Sequence, residues 1–119
     1  MPSKAWRKSK TDSHTVKMRI LFDQGTPLPL REHLNTHIVA TAFELGWSNL
    51  KNGELLAEAE ASFDLFITTD QQMRYQQNLA GRQLAIVVIL TTSWPRIKRY
   101  IPQIQLVIEE IKPGEYREI

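Results

Sequence analysis

The stretch Leu84-Ala85-Ile86-Val87-Val88-Ile89-Leu90 contains seven consecutive apolar residues and decides the class of fold. An apolar run rich in Ile and Val, with no polar alternation, is typical of a strand covered on both faces of a parallel sheet. Similar segments lie at 18–22 and 65–68, and β-branched residues favour a further strand at 37–41. These segments together predict a mainly parallel sheet of about four strands.

Helical segments separate the predicted strands. We expect a helix at 27–34, with Thr26 as cap and Pro27 at the first position, and a second helix from Gly53 or Glu54 to Ser62, with Asn52 as cap. A third is expected at 71–79, ending at Gly81. The last is expected at 102–111, starting at Pro102 after a helical turn from Ser93. Strands that alternate with helices in this way indicate a central parallel sheet with helices on both faces. The predicted architecture is therefore a three-layer α/β/α sandwich.

The composition indicates one domain behind a basic N-terminal tail. The chain has 119 residues and no cysteine, and no apolar run approaches the length of about 18 residues that spans a bilayer. Five of the 15 Lys and Arg residues and one of the 13 acids lie in residues 1–17, which leaves 10 basic and 12 acidic residues in 18–119. We predict a disordered tail at 1–17 and a folded domain at 18–119; a phosphate-binding arm and an upstream start codon are the alternatives for the tail. The lack of cysteine and of a signal peptide favours the cytoplasm, and no membrane partner is expected.

Acidic residues follow two of the predicted strands and begin the helix between them. Asp23 follows the first strand, Asp70 closes the third, and Glu54 starts the intervening helix. A crossover helix runs antiparallel to its strands, so all three should lie at the carboxyl edge of the sheet, where open parallel sheets bind ligands. Close carboxylates repel each other unless a cation compensates, and Mg²⁺ or Mn²⁺ prefers oxygen ligands. The pattern predicts a Mg²⁺ or Mn²⁺ site suited to phosphodiester hydrolysis.

The same residues have simpler interpretations that remain open. An Asp after a strand is often a turn residue, and a Glu in a first helical turn interacts favourably with the helix dipole. Arg74, Asn78 and Arg96 lie beyond the strand ends and are predicted to contact nucleic-acid phosphates, although basic residues equally suit a solvated surface. No glycine-rich phosphate loop and no nucleophile elbow is present, which disfavours nucleotide binding and serine hydrolase chemistry.

Several other polar and aromatic residues are weaker candidates. Glu44 is expected to be an exposed loop charge rather than a further member of the acidic cluster. His33 and His37 span a predicted helix end and are expected to be surface or structural residues. Trp47 and Trp94 could stack on bases, but Trp94, beside a proline, is expected to pack or to anchor a loop.

Three short motifs resemble one known family. Leu21-Phe22-Asp23-Gln24-Gly25-Thr26-Pro27 resembles the opening of the bacterial PIN-like domains, a family of unknown function related to the PIN toxins of toxin–antitoxin systems. Asn52-Gly53-Glu54-Leu55-Leu56 resembles the second acidic motif of that family, and Ile67-Thr68-Thr69-Asp70 resembles the third. The resemblance extends over residues 18–111.

The resemblance implies a PIN-like fold and a Mg²⁺- or Mn²⁺-dependent endoribonuclease, the toxin of a pair whose small antitoxin protein holds it inactive. Asp23 and Asp70 would hold the metal, and Glu54 would complete its shell or orient the attacking water. A homodimer is a further expectation from the family.

Two positions depart from the family and keep other functions open. Gln24 stands where a second acid is common, and residues 91–94 offer hydroxyls where a fourth acid often lies. The alternative is a catalytically degenerate PIN-like module that binds a partner protein or RNA. A receiver-like phosphoacceptor domain is disfavoured, because the sequence offers neither a clear paired acid after the first strand nor a clear lysine after the last.

Overall fold

The computed structural model describes residues 17–75 and 81–119. Its strands form one sheet in the order β2-β1-β3-β4-β5, and every neighbouring pair is parallel. The strands are β1 (Arg19–Phe22), β2 (Ile38–Thr41), β3 (Leu65–Thr68), β4 (Ala85–Val88) and β5 (Tyr116–Glu118). The predicted α/β class with a parallel sheet is confirmed, with five strands instead of about four.

Helices connect the strands within the described residues. They are a first 3₁₀ helix (Leu28–Leu34), α1 (Asn52–Ser62), a second 3₁₀ helix (Gln71–Tyr75), α2 (Trp94–Lys98) and α3 (Ile101–Glu110). The helix predicted at 71–79 is described only as far as Tyr75, and residues 76–80 lie outside the described part of the chain. None of the helices in the described ranges is long and apolar enough to cross a membrane.

Apolar side chains cover both faces of the sheet, which explains the uninterrupted apolar runs in the sequence. Successive side chains of a strand point to opposite faces. Accordingly Ile20 and Phe22 pack on one face with the first 3₁₀ helix, α2 and α3, whereas Leu21 packs on the other face with α1. All four residues of β3 and of β4 are buried. The result is a sheet between two helical layers.

The fifth strand was missed because its three residues have no apolar pattern. Tyr116–Glu118 is an edge strand, and backbone pairing with β4 holds it in place. Ile86 N donates to Glu115 O at 2.8 Å, and Ile119 N donates to Val88 O at 2.9 Å. Gly114 provides the turn before β5 with a φ of 80°. The chain therefore turns at this glycine and continues into the sheet.

Two predicted helix caps are wrong. The first 3₁₀ helix begins after Pro27, which occupies the N-cap position without a side-chain cap, and the Thr26 hydroxyl points instead to Asp23 and to the Ile67 carbonyl. Helix α1 begins at Asn52 itself, and Lys51 is its N-cap. Both polar side chains are thereby free to contact the carboxyl edge of the sheet.

The strand order places a switch point between β1 and β3. The chain leaves β1 for β2 on one side and then returns to β3 on the other, so the connections diverge at the carboxyl ends of β1 and β3. Crevices of this kind are the usual ligand sites of open parallel sheets. The residues directly after β1 and β3 therefore form the candidate site.

Candidate active site

Asp23 follows β1 and is held by a tight turn. Its Oδ1 accepts hydrogen bonds from Thr26 N at 3.0 Å and from Thr26 Oγ1 at 2.7 Å. Its Oδ2 accepts a hydrogen bond from the hydroxyl of Thr68, a fully buried residue at the end of β3. Gly25 allows the turn to lie against β3, because a Cβ there would come within 2.6 Å of Thr69 Oγ1. The Asp23 carboxylate is thus fixed at the switch point.

Asp70 lies beside Asp23 and is connected to it through Thr68. Asp70 N donates to Thr68 Oγ1 at 3.0 Å, and the Thr68 hydroxyl in turn donates to Asp23 Oδ2. Gln72 N donates to Asp70 Oδ1 at 2.9 Å. Asn52 Nδ2, from the start of α1, donates to Asp70 Oδ2 at 3.0 Å. We call Asp23 and Asp70 the acid pair.

The electrostatics of the acid pair oppose the ionisation of Asp23. Burial raises the pKa of Asp23 above its usual 3.8, and the hydrogen bonds from Thr68 and Thr26 offset part of that rise. The negative charge of Asp70 raises the pKa of Asp23 further. Neighbouring carboxylates that disfavour each other's ionisation are a common feature of functional sites, and a bound cation would relieve the repulsion.

Glu54, the third predicted acid, faces a different group. Its side chain is exposed, and its Oε1 accepts a hydrogen bond from Lys51 N at 3.0 Å. In residues 17–75 and 81–119, no group of three or more His, Cys, Asp or Glu side chains is placed to hold a metal ion. In this structure Glu54 therefore stabilises the start of α1.

The acid pair nevertheless retains oxygen atoms that suit a hard cation. A carboxylate oxygen accepts about two hydrogen bonds. Asp23 Oδ1 is saturated by its two bonds to Thr26, whereas Asp23 Oδ2 and both Asp70 oxygens each accept one bond from the described residues. Three carboxylate oxygens can thus each accept one further partner. This donor set fits Mg²⁺ or Mn²⁺, which use one or two carboxylates and keep several waters.

The residues predicted to contact phosphate have different environments. Arg74 forms an ion pair with Glu118 at 3.0 Å, and its guanidinium carbon lies 5.8 Å from the Tyr75 ring centroid. Arg96 is exposed on α2, which begins just beyond the carboxyl end of β4, and its backbone N–H is capped by Ser93 Oγ at 3.4 Å. Asn78 lies outside the described residues.

Glu44 lies outside the acid pair, as the sequence indicated. It accepts hydrogen bonds from Arg31 Nη2 at 2.9 Å and from Thr41 N at 3.0 Å. The hydrogen bond from Arg31 is the main reason why the pKa of Glu44 lies below its usual value. Glu44 therefore covers a backbone donor at the end of the edge strand β2, a common protection of sheet edges.

The remaining weak candidates have structural contacts. His37 Nδ1 accepts a hydrogen bond from Met18 N at 3.0 Å, next to a surface cavity of about 240 Å³ that His33 also lines. The rings of His33 and Trp94 lie 5.9 Å apart, and Trp94 is packed against the core. Trp47 meets Phe63 edge to face, with 6.1 Å between ring centroids.

Sequence reasoning missed the contributions of Asn52 and Thr26 to the site. The sequence pattern predicts a helix cap at each position, the usual role of these residue types at helix starts. The signal that identifies their other role is the start of each helix, because Thr26 lies one residue before the N-cap and Asn52 lies one residue after it. Comparisons with protein-family models, with curated proteins and with solved structures return no match for this chain.

Proposed function

We propose that this protein is a metal-dependent endoribonuclease with a PIN-like fold, and that it is the toxin of a toxin–antitoxin pair. The observation that carries the proposal is the acid pair at the switch point of the sheet, where Thr68 joins Asp23 to Asp70. The resemblance of three sequence motifs to PIN-like domains supports it independently. The parallel sheet between helical layers is compatible with such a fold.

Asp23 and Asp70 would hold Mg²⁺ or Mn²⁺ through their available oxygens. When bound, the cation would lower the pKa of a coordinated water and neutralise charge that develops on the phosphate. Thr68 would orient the Asp23 carboxylate by its hydrogen bond. Glu54, which the resemblance places in the metal shell, accepts from Lys51 N in this structure, so the proposed site consists of the acid pair without it.

RNA is the proposed substrate, because the site combines acid-held cation chemistry with nearby basic residues. Between Gln71 and Ile108 the sequence has five basic residues and no acid. Arg96 is exposed at the carboxyl edge, and Arg74, which is ion-paired with Glu118, lies on the second 3₁₀ helix that starts after Asp70. Positive charge of this kind binds a nucleic-acid backbone without sequence preference.

The partner and the cellular setting rest on the resemblance alone. We propose a small antitoxin protein that inhibits the enzyme in the cytoplasm, and a homodimer. A second candidate is the catalytically degenerate PIN-like module that binds protein or RNA. The observation that favours it is that no third acid joins Asp23 and Asp70 in the described residues.

Cleavage of end-labelled RNA by metal-stripped protein, with Mn²⁺ added back, tests the proposal. We expect Mn²⁺-dependent cleavage that falls at least about 100-fold in Asp23→Asn and in Asp70→Asn, since each variant removes a ligand of the reaction centre. Glu32→Gln, an exposed acid on the first 3₁₀ helix, is the control and should cleave normally. Cleavage that persists in both Asn variants would contradict the proposal, and RNA binding without cleavage by the wild type would favour the degenerate module.

A further inference from the structure

Asn52 occupies the place at the acid pair that the sequence assigned to Glu54. It is the first residue of α1, is partly buried, and has no role as a cap. Its side chain lies 3.0 Å from Asp70 Oδ2. A carboxylate can only accept, so the contacting atom must be the amide nitrogen of Asn52.

Helix geometry explains why Asn52 and Glu54 have different roles. Each residue of an α-helix turns by about 100°, so residues two apart face nearly opposite directions, about 200° around the axis. Asn52 points to Asp70, and Glu54 points back to Lys51 N. Both side chains cannot face the acid pair while α1 begins at Asn52.

The Asn52 contact completes the orientation of Asp70. Gln72 N fixes Oδ1 at 2.9 Å from the second 3₁₀ helix, and Asn52 fixes Oδ2 from α1. Two donors from two different elements therefore set the plane of the carboxylate. A neutral donor also offsets the negative charge of Asp70, whereas a carboxylate in the same place would repel it.

We propose that Asn52 is a positioning residue of the acid pair, which holds Asp70 in the orientation that binds a divalent cation. The inference rests on the proposed metal-dependent function and adds a residue to its site. Partners that orient metal-binding side chains typically change metal affinity by 10–100-fold when they are removed. Asn52 thus contributes more to cation binding than Glu54 does.

Calorimetric titration of the full chain with Mn²⁺ alone tests the inference. We expect Asn52→Ala to weaken Mn²⁺ binding by at least about 10-fold and by more than Glu54→Gln does. Asn35→Ala is the matched control, because Asn35 is an exposed asparagine that follows the first 3₁₀ helix at the other edge of the sheet. Equal binding by wild type and Asn52→Ala would overturn the inference alone, as would a larger loss in Glu54→Gln. Absence of Mn²⁺ binding in the wild type would overturn both the inference and the proposed function.

Asn52→Asp provides a second test that retains the size and shape of the side chain. Without metal, the new carboxylate beside Asp70 should lower the thermal unfolding midpoint, because like charges meet at the Asn52–Asp70 contact. Saturating Mn²⁺ should raise that midpoint by more degrees than it raises the wild-type midpoint. Identical midpoints for Asn52→Asp and wild type in both conditions would overturn the inference.

Discussion

The two edges of the sheet use polar side chains in opposite ways. At the amino edge, side chains accept hydrogen bonds from the first backbone amides of β1: Met18 N donates to His37 Nδ1 at 3.0 Å, and Arg19 N donates to Asp64 Oδ2 at 2.8 Å. At the carboxyl edge, Asp23 and Asp70 are brought together and repel each other. Side chains at the amino edge accept hydrogen bonds from backbone N–H groups, whereas those at the carboxyl edge place two carboxyl groups close together.

Burial therefore has different consequences at the two edges. It lowers the pKa of His37 and raises the pKa of Asp23, in each case because the charged form is disfavoured. Neutral His37 is the form that accepts from Met18 N, so burial and hydrogen bonding act together. Ionised Asp23 is the form that the proposed cation would require, whereas burial and the charge of Asp70 disfavour that form. Sites with this conflict are commonly functional.

The largest expected change in the free energy of unfolding concerns the turn at Gly114, which lies at the amino edge of the sheet just before β5. Gly114 has a φ of 80°, and a Cβ there would lie 2.5 Å from the backbone oxygen of Arg82. Gly114→Ala should lower the free energy of unfolding by about 2–4 kcal/mol, because left-handed backbone strain adds to a backbone clash. Denaturant unfolding monitored by circular dichroism measures the change.

Gly53→Ala is the matched control for that substitution. A Cβ at Gly53 would meet nothing within 4 Å, and the residue lies in the first turn of α1. Its unfolding free energy should stay within about 0.5 kcal/mol of the wild type or rise slightly. Equal losses in both variants would show that the amino-edge turn has no special constraint.

The next effect concerns His37 and its pH dependence. His37→Leu removes the acceptor for the N–H of Met18, a buried residue. The substitution should lower the free energy of unfolding by about 1–2 kcal/mol at pH 7. In the wild type, burial lowers the pKa of His37 from 6.5 and outweighs the opposing effect of Glu109. The contribution of neutral His37 to the stability of the fold is therefore complete above pH 6.5, and it is lost as the pH falls through the pKa of His37 in the folded protein.

Unfolding curves between pH 7 and about pH 5 measure this His37 contribution. The wild type should lose stability toward the acid end by a component that His37→Leu lacks, while His33→Gln should retain it. A pH slope that is the same in wild type and His37→Leu would disprove the stabilising role of the neutral imidazole.

The smallest expected change in the free energy of unfolding comes from Asp23→Asn, and it is a gain instead of a loss. A raised pKa means that Asp23 contributes stability below its unfolded value of 3.8, and that this contribution is lost as the pH rises through the folded pKa. Asp23→Asn removes the disfavoured charge and keeps an oxygen that can accept from Thr26, but its amide nitrogen replaces the oxygen that accepts from the Thr68 hydroxyl. The net change in the free energy of unfolding at pH 7 should therefore be a small gain, and a smaller one toward pH 4.

Asp64→Ala supplies the contrast for Asp23→Asn at the other edge. Asp64 is buried and accepts from Arg19 N, so its removal should destabilise the fold. Guanidinium unfolding of both variants at pH 7 compares the edges directly. A loss of stability in Asp23→Asn as large as that in Asp64→Ala would end the distinction between the two edges.

The sequence predicts the central strands well because burial on both faces leaves a clear signal. β4 is uninterruptedly apolar, β1 and β3 each contain three consecutive apolar residues, and the structure places all three strands in the middle of the sheet. β5 has no such signal, since an edge strand of Tyr, Arg and Glu is held by backbone hydrogen bonds to β4. Its position depends on the turn at Gly114, which local propensity alone does not specify.

Part of the candidate site could be predicted for the same topological reason. Asp23 and Asp70 directly follow buried strands, so their approach at one edge follows from the parallel order. Whether Asn52 or Glu54 joins them depends on the first residue of α1, and helix boundaries are uncertain by a residue or more in any sequence pattern. A shift of one position turns each side chain by about 100° around the helix axis, and a shift of two positions nearly reverses its direction.

A calorimetric Mn²⁺ titration of wild type and of the double variant Asp23→Asn/Asp70→Asn tests directly whether the acid pair binds a cation. We expect the wild type to bind Mn²⁺ at one site and the double variant to lose this binding while remaining folded, because both charged ligands become neutral amides. Equal binding by the two proteins, or no binding by either, would contradict the claim that the acid pair is a cation site.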